Sequence, residues 1–300
     1  MRTVNVLMSV YNGEKYLEEQ IESILNQSYP NVELYVRDDG SSDNSLKLLE
    51  KYEKKGKIKL LRGENLGYTK SFFTLLENAD DEAEYFAFAD QDDVWDEKKI
   101  EYAINRLEEN SGEVKIYYSN YDICDDQLEF REVGYSNPRP NFSSVLLQCP
   151  TNGFTIVLNT DMRKDVLSYE PQYAVGHDWW VCLIGVTTGN VVVDSRTTAK
   201  WRRNISSVTT NESAFLPKLK YRFRLIFKEN YFGTVRKQLK EFSKAFDSKL
   251  TDEQKNLLYL FLDNNFSLTR WSKKLFYKKR YSFRLIDELF FRLCIFIGLL

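Results

Sequence analysis

One histidine, His177, stands in a chain of 300 residues, and that scarcity excludes several chemistries. A histidine-rich metal cluster cannot be built, and a serine hydrolase triad would have to use this single imidazole. The four cysteines, Cys124, Cys149, Cys182 and Cys294, are scattered and form no Cys-x-x-Cys pair. That usage argues against a zinc ribbon and fits a reducing compartment. There is no Gly-x-Gly-x-x-Gly for a dinucleotide and no Gly-x-Ser-x-Gly for a hydrolase. Gly63, Gly67 and Lys70 suggest a phosphate loop, but the lysine of an ATPase loop directly follows the second glycine. No window holds about 20 uninterrupted apolar residues, so no membrane-spanning helix is expected. The start MRTVNVLMSVYN is too short and too polar for a signal peptide. A cytosolic location follows as an expectation. The formal net charge of −2 excludes a polybasic nucleic-acid binder in bulk, and no nucleic-acid partner is expected.

What remains is an ordinary globular composition, 43% hydrophobic and 29% charged, long enough for one large domain or two small ones. The first 119 residues alternate strand and helix. Strands are expected at Val4–Val10, Val32–Arg37, Ile58–Leu61, Tyr85–Ala89 and Val114–Ser119. Helices are expected at Gly13–Gln27, from Asp43, at Tyr68–Asn78 and at Asp96–Glu109. Such alternation predicts an α/β fold with a mostly parallel central sheet flanked by helices, whose ligands lie beyond the carboxyl ends of the strands. From 120 to 140 a loop or hairpin is expected. An apolar strand lies in Cys149–Leu158, a short helix at Asp161–Leu167, a helix at His177–Gly185 and a short strand at Val191–Asp194. From Phe215 the pattern is helical, aromatic and basic. The expected division is 1–210, with halves 1–119 and 120–210, and a helical extension over 211–300.

Polar clusters fall where strands end. Asp90-Gln91-Asp92-Asp93 follows the apolar run Tyr85–Ala89. Like charges so close repel, and burial makes the crowding worse. A divalent cation shared with substrate phosphates would explain the cluster; a helix cap by Asp92 or Asp93 is the plainer alternative. Asp39, in Asp38-Asp39-Gly40-Ser41, either forms a turn or accepts a ring N–H from a nucleotide base. Lys70 is either a solvated helix lysine or a contact to base or diphosphate. Asp178, in Gly176-His177-Asp178-Trp179-Trp180, either caps a helix or acts as a general base. Trp179 and Trp180 then either fill a core or offer flat faces to a sugar ring. The segment from Arg270 carries eight Lys or Arg against Asp287 and Glu288, interleaved with apolar residues. That pattern fits a helix lying on an anionic membrane surface, or one packed on its own protein.

The motifs MSVYNGEKYLEEQIESILNQSYPNVELYVRDDGSSDNS, ENLGYTKSFF and FADQDDVW, with PTNGFT and HDWW, resemble the family 2 glycosyltransferases over roughly the first 210 residues. The spellings DQDDVW and HDWW are most similar to bacterial rhamnosyltransferases of cell-wall and capsule polysaccharide synthesis. The resemblance implies the GT-A fold, a Rossmann-like sheet. It implies an inverting transfer from a nucleoside-diphosphate sugar, with rhamnose from dTDP-rhamnose as the expected donor, and with Mg²⁺ or Mn²⁺ as cofactor. The expected acceptor is a saccharide, lipid-linked, at the inner face of the membrane, and a homo-oligomer is possible. The family pattern places Ser9, Tyr11 and Asp39 at the base, Lys70 near base or diphosphate and Asp90 near the ribose, with Gly67 and Gln91 also expected at the nucleotide. Asp92 and Asp93 fall at the metal and Asp178 at the catalytic base, with Asn152, Gly153, His177, Trp179 and Trp180 toward the acceptor. Relatives often carry Tyr-Arg-x-His after the base. Here Trp201-Arg202-Arg203-Asn204 stands there, so Arg202 or Arg203 is expected at the diphosphate. The rival expectations are a UDP-hexose donor, a non-catalytic nucleotide-sugar-binding subunit, and a nucleotidyltransferase, which would want a glycine-rich loop that Tyr11-Asn12-Gly13 is not.

Overall fold

The computed structural model describes residues 2–135, 140–203, 230–263 and 265–300, with Arg224. The helical pattern expected between Phe215 and residue 229, and Asn204, otherwise lie outside the described residues. Four strands, β1 (Val4–Val10), β2 (Val32–Asp38), β3 (Ile58–Arg62) and β4 (Tyr85–Ala89), run parallel in the order β3-β2-β1-β4. All of β4 and nearly all of β1 are buried, because helices cover both faces of this half. Between the strands lie α1 (Leu17–Leu25), α2 (Ser45–Lys54) and α3 (Tyr68–Asn78). In α1, Leu17, Ile21 and Ile24 recur at helical spacing and point into the core.

Beyond β4 the sheet turns mixed. β8 (Ile156–Asn159) lies antiparallel between β4 and β6 (Lys115–Cys124), and β9 (Asn190–Arg202) runs parallel to β6. β5 (Val94–Trp95) closes the far edge against β9, and β7 (Phe130–Gly134) forms a hairpin with β6. Four boundaries differ from those expected. Helix α4 (Lys99–Glu108) starts later than Asp96, because the Asp96 N–H is bonded to the Thr198 carbonyl of β9 and a turn follows before the helix begins. The helix expected from Gly13 opens as a turn and becomes α1 at Leu17. The strand expected at Val191–Asp194 is the start of a strand of 13 residues. Its pairing with β6 is broken by register shifts around Asn120, which also breaks the alternation a sequence reader depends on. The apolar run Cys149–Leu158 is a strand only from Ile156. Before it come a short helix, α5 (Phe142–Val145), and a 3-10 turn at Gly153–Thr155.

Helix α6 (Thr160–Leu167) precedes α7 (His177–Thr188), and α7 lies between the sheet and the C-terminal helices. These are α8 (Tyr231–Phe246), α9 (Asp252–Leu262), α10 (Leu268–Leu275) and α11 (Leu285–Phe296). They share one apolar cluster with Leu7, Phe86 and Phe88 of the sheet. Trp179 and Trp180 belong to that cluster and not to a sugar platform. Trp180 has no exposed surface; it stacks on Tyr169 and meets Phe242 and Phe246 edge-on. Trp179 donates its Nε1–H to the Val145 carbonyl at 2.6 Å and stacks on Tyr231. Both ring faces are covered because α8 packs where a ligand would have lain. The acceptor role expected of these two rings is corrected accordingly.

Candidate active site

Chain ends at the carboxyl edge of β1, β2 and β4 converge, as a parallel sheet requires. β4 stops at Ala89, and the Gln20 side chain pins the Asp90 carbonyl with an amide donor at 2.9 Å. The following carboxylates separate. Asp93 turns inward and is fully buried. One of its oxygens accepts the Arg202 backbone N–H at 3.2 Å, and the other meets no donor among the described residues. Beside it lies Lys99, also fully buried, whose ammonium donates to Thr198 Oγ1 at 3.0 Å and sits over the Trp95 ring. Burial pushes the Asp93 carboxyl well up, with the charges of Asp90 and Asp92 adding to it. Burial likewise brings the Lys99 amine down to about 7, against the pull of Asp93. Asp90 and Asp92 stay part-exposed. Burial raises Asp92, and it raises Asp90 to about 7, with Asp92 and Asp178 as the next causes. Neither Asp92 nor Asp93 caps α4, whose N-cap residue is Lys98; Asp96 closes the turn ahead of it, accepting the Lys98 N–H at 2.9 Å.

Asp39 is buried at the end of β2. Its carboxylate accepts the N–H groups of Leu66 at 2.9 Å and Gly67 at 3.0 Å, and it pairs with the Arg37 guanidinium. Arg37 also donates to the Glu64 carbonyl at 2.9 Å and to Ser71 Oγ at 3.3 Å, and Ser9 Oγ donates to Ser71 Oγ at 2.6 Å. Ser9, Asp39, Gly67 and Ser71 are thus one network around Arg37. Gly67 takes φ +77°, a backbone that suits glycine, to aim its N–H at Asp39. A carboxylate offers about four acceptor sites; three are filled here by donors of the protein itself. Tyr11 is exposed, and Gln91 clamps its backbone twice, accepting the N–H at 2.8 Å and donating to the carbonyl at 3.1 Å. Lys70 is exposed on α3.

Asp178 sits in the first turn of α7, where aligned N–H groups favour an anion. Its Oδ1 accepts the Trp179 N–H at 2.7 Å. Burial nevertheless raises its pKa, opposed by hydrogen bonds from the Trp179 and Gly153 backbones and the Cys149 thiol. Asp178 therefore shares an electrostatic neighbourhood with Asp90 across the crevice. Tyr68 shares it too: the same two carboxylates add to the burial that raises its phenol, whose O–H donates to the Val175 carbonyl at 2.9 Å. His177 is buried against Phe72 with a ring separation of 3.9 Å, and neither nitrogen finds a donor or acceptor among the described residues. A Cβ on Gly153 would lie 2.5 Å from its Nε2, so only glycine fits there. Burial holds this imidazole neutral, at about 3. Asn152 caps the turn at Gly153, its carbonyl accepting the Thr155 N–H at 3.0 Å.

Arg202 is not free for a diphosphate. Its guanidinium is buried, donating to the carbonyls of Asp92 at 3.0 Å and of Asp126, and pairing with Glu19 at 2.5 Å. It therefore braces the Asp92–Asp93 loop from behind. Arg203 stacks its guanidinium on the Trp201 ring and donates its backbone N–H to the Cys124 carbonyl at 2.9 Å. Arg37, Lys99, Glu19 and Tyr68 are the residues that sequence reasoning missed. A lone arginine in the apolar strand VELYVRD was the one available signal.

A divalent cation fits what is present. The donors are hard carboxylate oxygens whose pKa values are raised by burial and then by their mutual charge, and Asp93 carries a buried oxygen lacking a donor among the described residues. Among the described residues no group of three or more His, Cys, Asp or Glu is placed to hold a metal ion by itself. A cation here would be completed by substrate oxygens, the usual arrangement for Mg²⁺.

The description "Glycosyl transferase family 2" matches residues 5–168, more than half of the chain. The UDP-Glc:alpha-D-GlcNAc-diphosphoundecaprenol beta-1,3-glucosyltransferase WfgD of Escherichia coli is 28% identical over 211 residues, 70% of this chain and 80% of that one. The dTDP-rhamnosyl transferase RfbG of Shigella flexneri is 36% identical over 118 residues, 38% of this chain and 40% of that one. In three dimensions the chain is similar to S. aureus TarS 1-349 in complex with UDP-GlcNAc. The TM-score is 0.63 at 20% identity, covering 99% of this chain and 81% of that one.

The raised Asp90 pKa makes a test of the site. A carboxyl raised by folding costs nothing below its unfolded value near 4, and costs most above its folded value of about 7. Stability of the metal-free protein should fall across that window. Asp90→Asn should change stability little at pH 4 and raise it on the order of 2–4 kcal/mol at pH 8. Urea unfolding at the two pH values measures this; equal effects at both would remove Asp90 from the carboxylate cluster.

Proposed function

The chain belongs to glycosyl transferase family 2 and has the GT-A fold, and from that premise we propose an inverting, metal-assisted sugar transfer in cell-surface polysaccharide synthesis. The observation that carries this reading is the pairing of Asp178, held part-exposed at the start of α7, with Asp90 and Asp92 on the facing loop. The two sides supply the two needs of a displacement at an anomeric carbon. Asp178 takes the proton of the acceptor hydroxyl; its raised pKa makes it a better base than an exposed aspartate. Asp92, with Asp93 behind it, would hold Mg²⁺ or Mn²⁺, which when bound neutralises the leaving diphosphate. Asp39 accepts a ring N–H of the base, with Arg37 fixing its orientation, and Tyr11 and Lys70 line the way to the diphosphate. Preorganised charge of this kind is usually the largest contribution to rate.

Uracil and thymine both present a ring N–H of the kind Asp39 can accept. We propose dTDP-rhamnose as donor, supported by the RfbG similarity in the N-terminal part. The WfgD similarity extends further along the chain and favours the same chemistry with UDP-glucose. Transfer assays with the two donors side by side decide between them. A lipid-linked acceptor at an anionic membrane surface is supported by α11. Ile286, Leu289, Leu293 and Phe296 form an exposed row there, while Phe291, Cys294 and Ile295 face the core. No described helix is long and apolar enough to cross a membrane.

Asp178→Asn should leave donor affinity nearly unchanged and lower transfer ~10²–10⁴-fold. Calorimetry for the donor and a product assay measure the two separately, and NMR of the product should show an inverted anomeric carbon. Transfer at the wild-type rate would leave Asp178 as a helix cap alone.

The full chain should sediment with anionic liposomes at low salt and progressively less as salt rises. A Leu289→Glu, Leu293→Glu variant should stay in the supernatant. Absence of the wild-type protein from the pellet would refute the membrane placement.

A further inference from the structure

A second concavity lies away from the crevice, between α9 and the segment formed by α10 and the turn after it. Its volume is about 1030 Å³, at the upper end of what holds a drug-sized ligand and more than a phosphate group alone would fill. One side is cationic. Arg270 and Lys273 project from α10, and Lys278 and Lys279 from the turn. Arg270 pairs with Asp263 at 2.5 Å and Lys279 with Glu253 at 2.9 Å, while Lys273 and Lys278 make no ion pair among the described residues. Glu253 is the one acidic residue in the lining. The other side is apolar: Leu257 and Leu260 of α9, faced by Phe276, which is 74% exposed. Lys274 is buried nearby over the Phe261 ring, its amine brought down to about 8 by burial and then by the charges of Arg236 and Arg270. Cations crowded without enough counter-charge, beside an apolar wall and an exposed aromatic, ask for a ligand with an anionic head and a hydrocarbon body.

We propose that this groove binds a lipid whose phosphate head carries net negative charge, its phosphate at Lys273 and Lys278 and its chain along Leu257, Leu260 and Phe276. Neither the donor site nor Asp178 enters into this, so the groove and the transfer reaction stand or fall separately. Arg270 is held in place by Asp263 and so presents a fixed donor at the groove wall, whereas the two unpaired lysines lose no partner when a phosphate arrives. Phe276 follows α10 directly, which puts the apolar contact next to the charged one.

The experiment is calorimetric titration of the full chain with dihexanoyl phosphatidic acid below its micelle concentration. Parallel titrations use inorganic pyrophosphate and dihexanoyl phosphatidylcholine. Phosphatidic acid should bind at least tenfold more tightly than either. A Lys273→Gln, Lys278→Gln variant should weaken it tenfold or more, and Phe276→Gln several-fold. All three side chains are exposed, so the variants should fold, and unchanged UDP binding at the crevice confirms it. Pyrophosphate binding as tightly would reduce the groove to a polyanion patch and overturn the proposal. Phosphatidylcholine binding as tightly, or variants that bind phosphatidic acid like the wild type, would overturn it too. Loss of UDP binding in the wild type would instead count against the transferase reading and leave the groove untouched.

Discussion

Everything else in this structure answers to the repulsion among carboxylates at the end of β4. Asp90, Asp92 and Asp93 leave one strand within four residues, and Asp178 adds its charge from α7. Such a loop would splay into solvent unless something held it. Two buried cations do so from behind. Lys99 lies beside Asp93, and Arg202 grips the Asp92 carbonyl while Glu19 holds its other end. The far half of the sheet is therefore scaffolding for the loop. β9 supplies Thr198 and Arg202, and β5 docks on β9 immediately after Asp93.

The C-terminal helices contribute to the same site at longer range. Gln238 of α8 is buried and accepts the Val175 N–H at 2.7 Å; Glu241 accepts the Tyr169 hydroxyl at 2.9 Å. These bonds fix the segment that leads into Gly176 and Asp178. Tyr231 donates to the Leu147 carbonyl at 2.7 Å and so ties α8 to the segment that precedes Gly153. The helical region is thus a support for Asp178 as well as the carrier of the exposed α11 row and the basic groove.

Much of the parallel half was legible in the sequence. Val4–Val10, Tyr68–Asn78 and Tyr85–Ala89 appear in the structure with the bounds expected of them. Buried parallel strands are near-continuous apolar runs, and their polar ends mark the crevice. The mixed half was less legible, because its strands are held by partners distant in sequence. β5 has two residues and exists only through β9. The second half of β9 is hidden in the polar run Ser195–Arg202 and follows a register shift. Residue types misled in two places. Tryptophans beside a candidate base suggested a sugar platform, yet α8, far along the chain, covers them. Arg202 looked available for phosphate, but its partners Glu19 and Asp126 lie 183 and 76 residues away. Arg37 shows the same limit: its role depends on Glu64 and Ser71, which only the fold brings to it.

The central claim is that the loop at β4 becomes a binding site when a cation and a diphosphate arrive together. Calorimetric titration of UDP and dTDP into the wild type and into Asp92→Asn, each with and without Mn²⁺, tests it most directly. The account predicts that Mn²⁺ strengthens nucleotide binding at least tenfold in the wild type. Asp92→Asn should stay folded, keep the weak metal-free binding and lose the enhancement. Nucleotide binding that is the same with and without Mn²⁺ in the wild type, or an enhancement undiminished in Asp92→Asn, would contradict it.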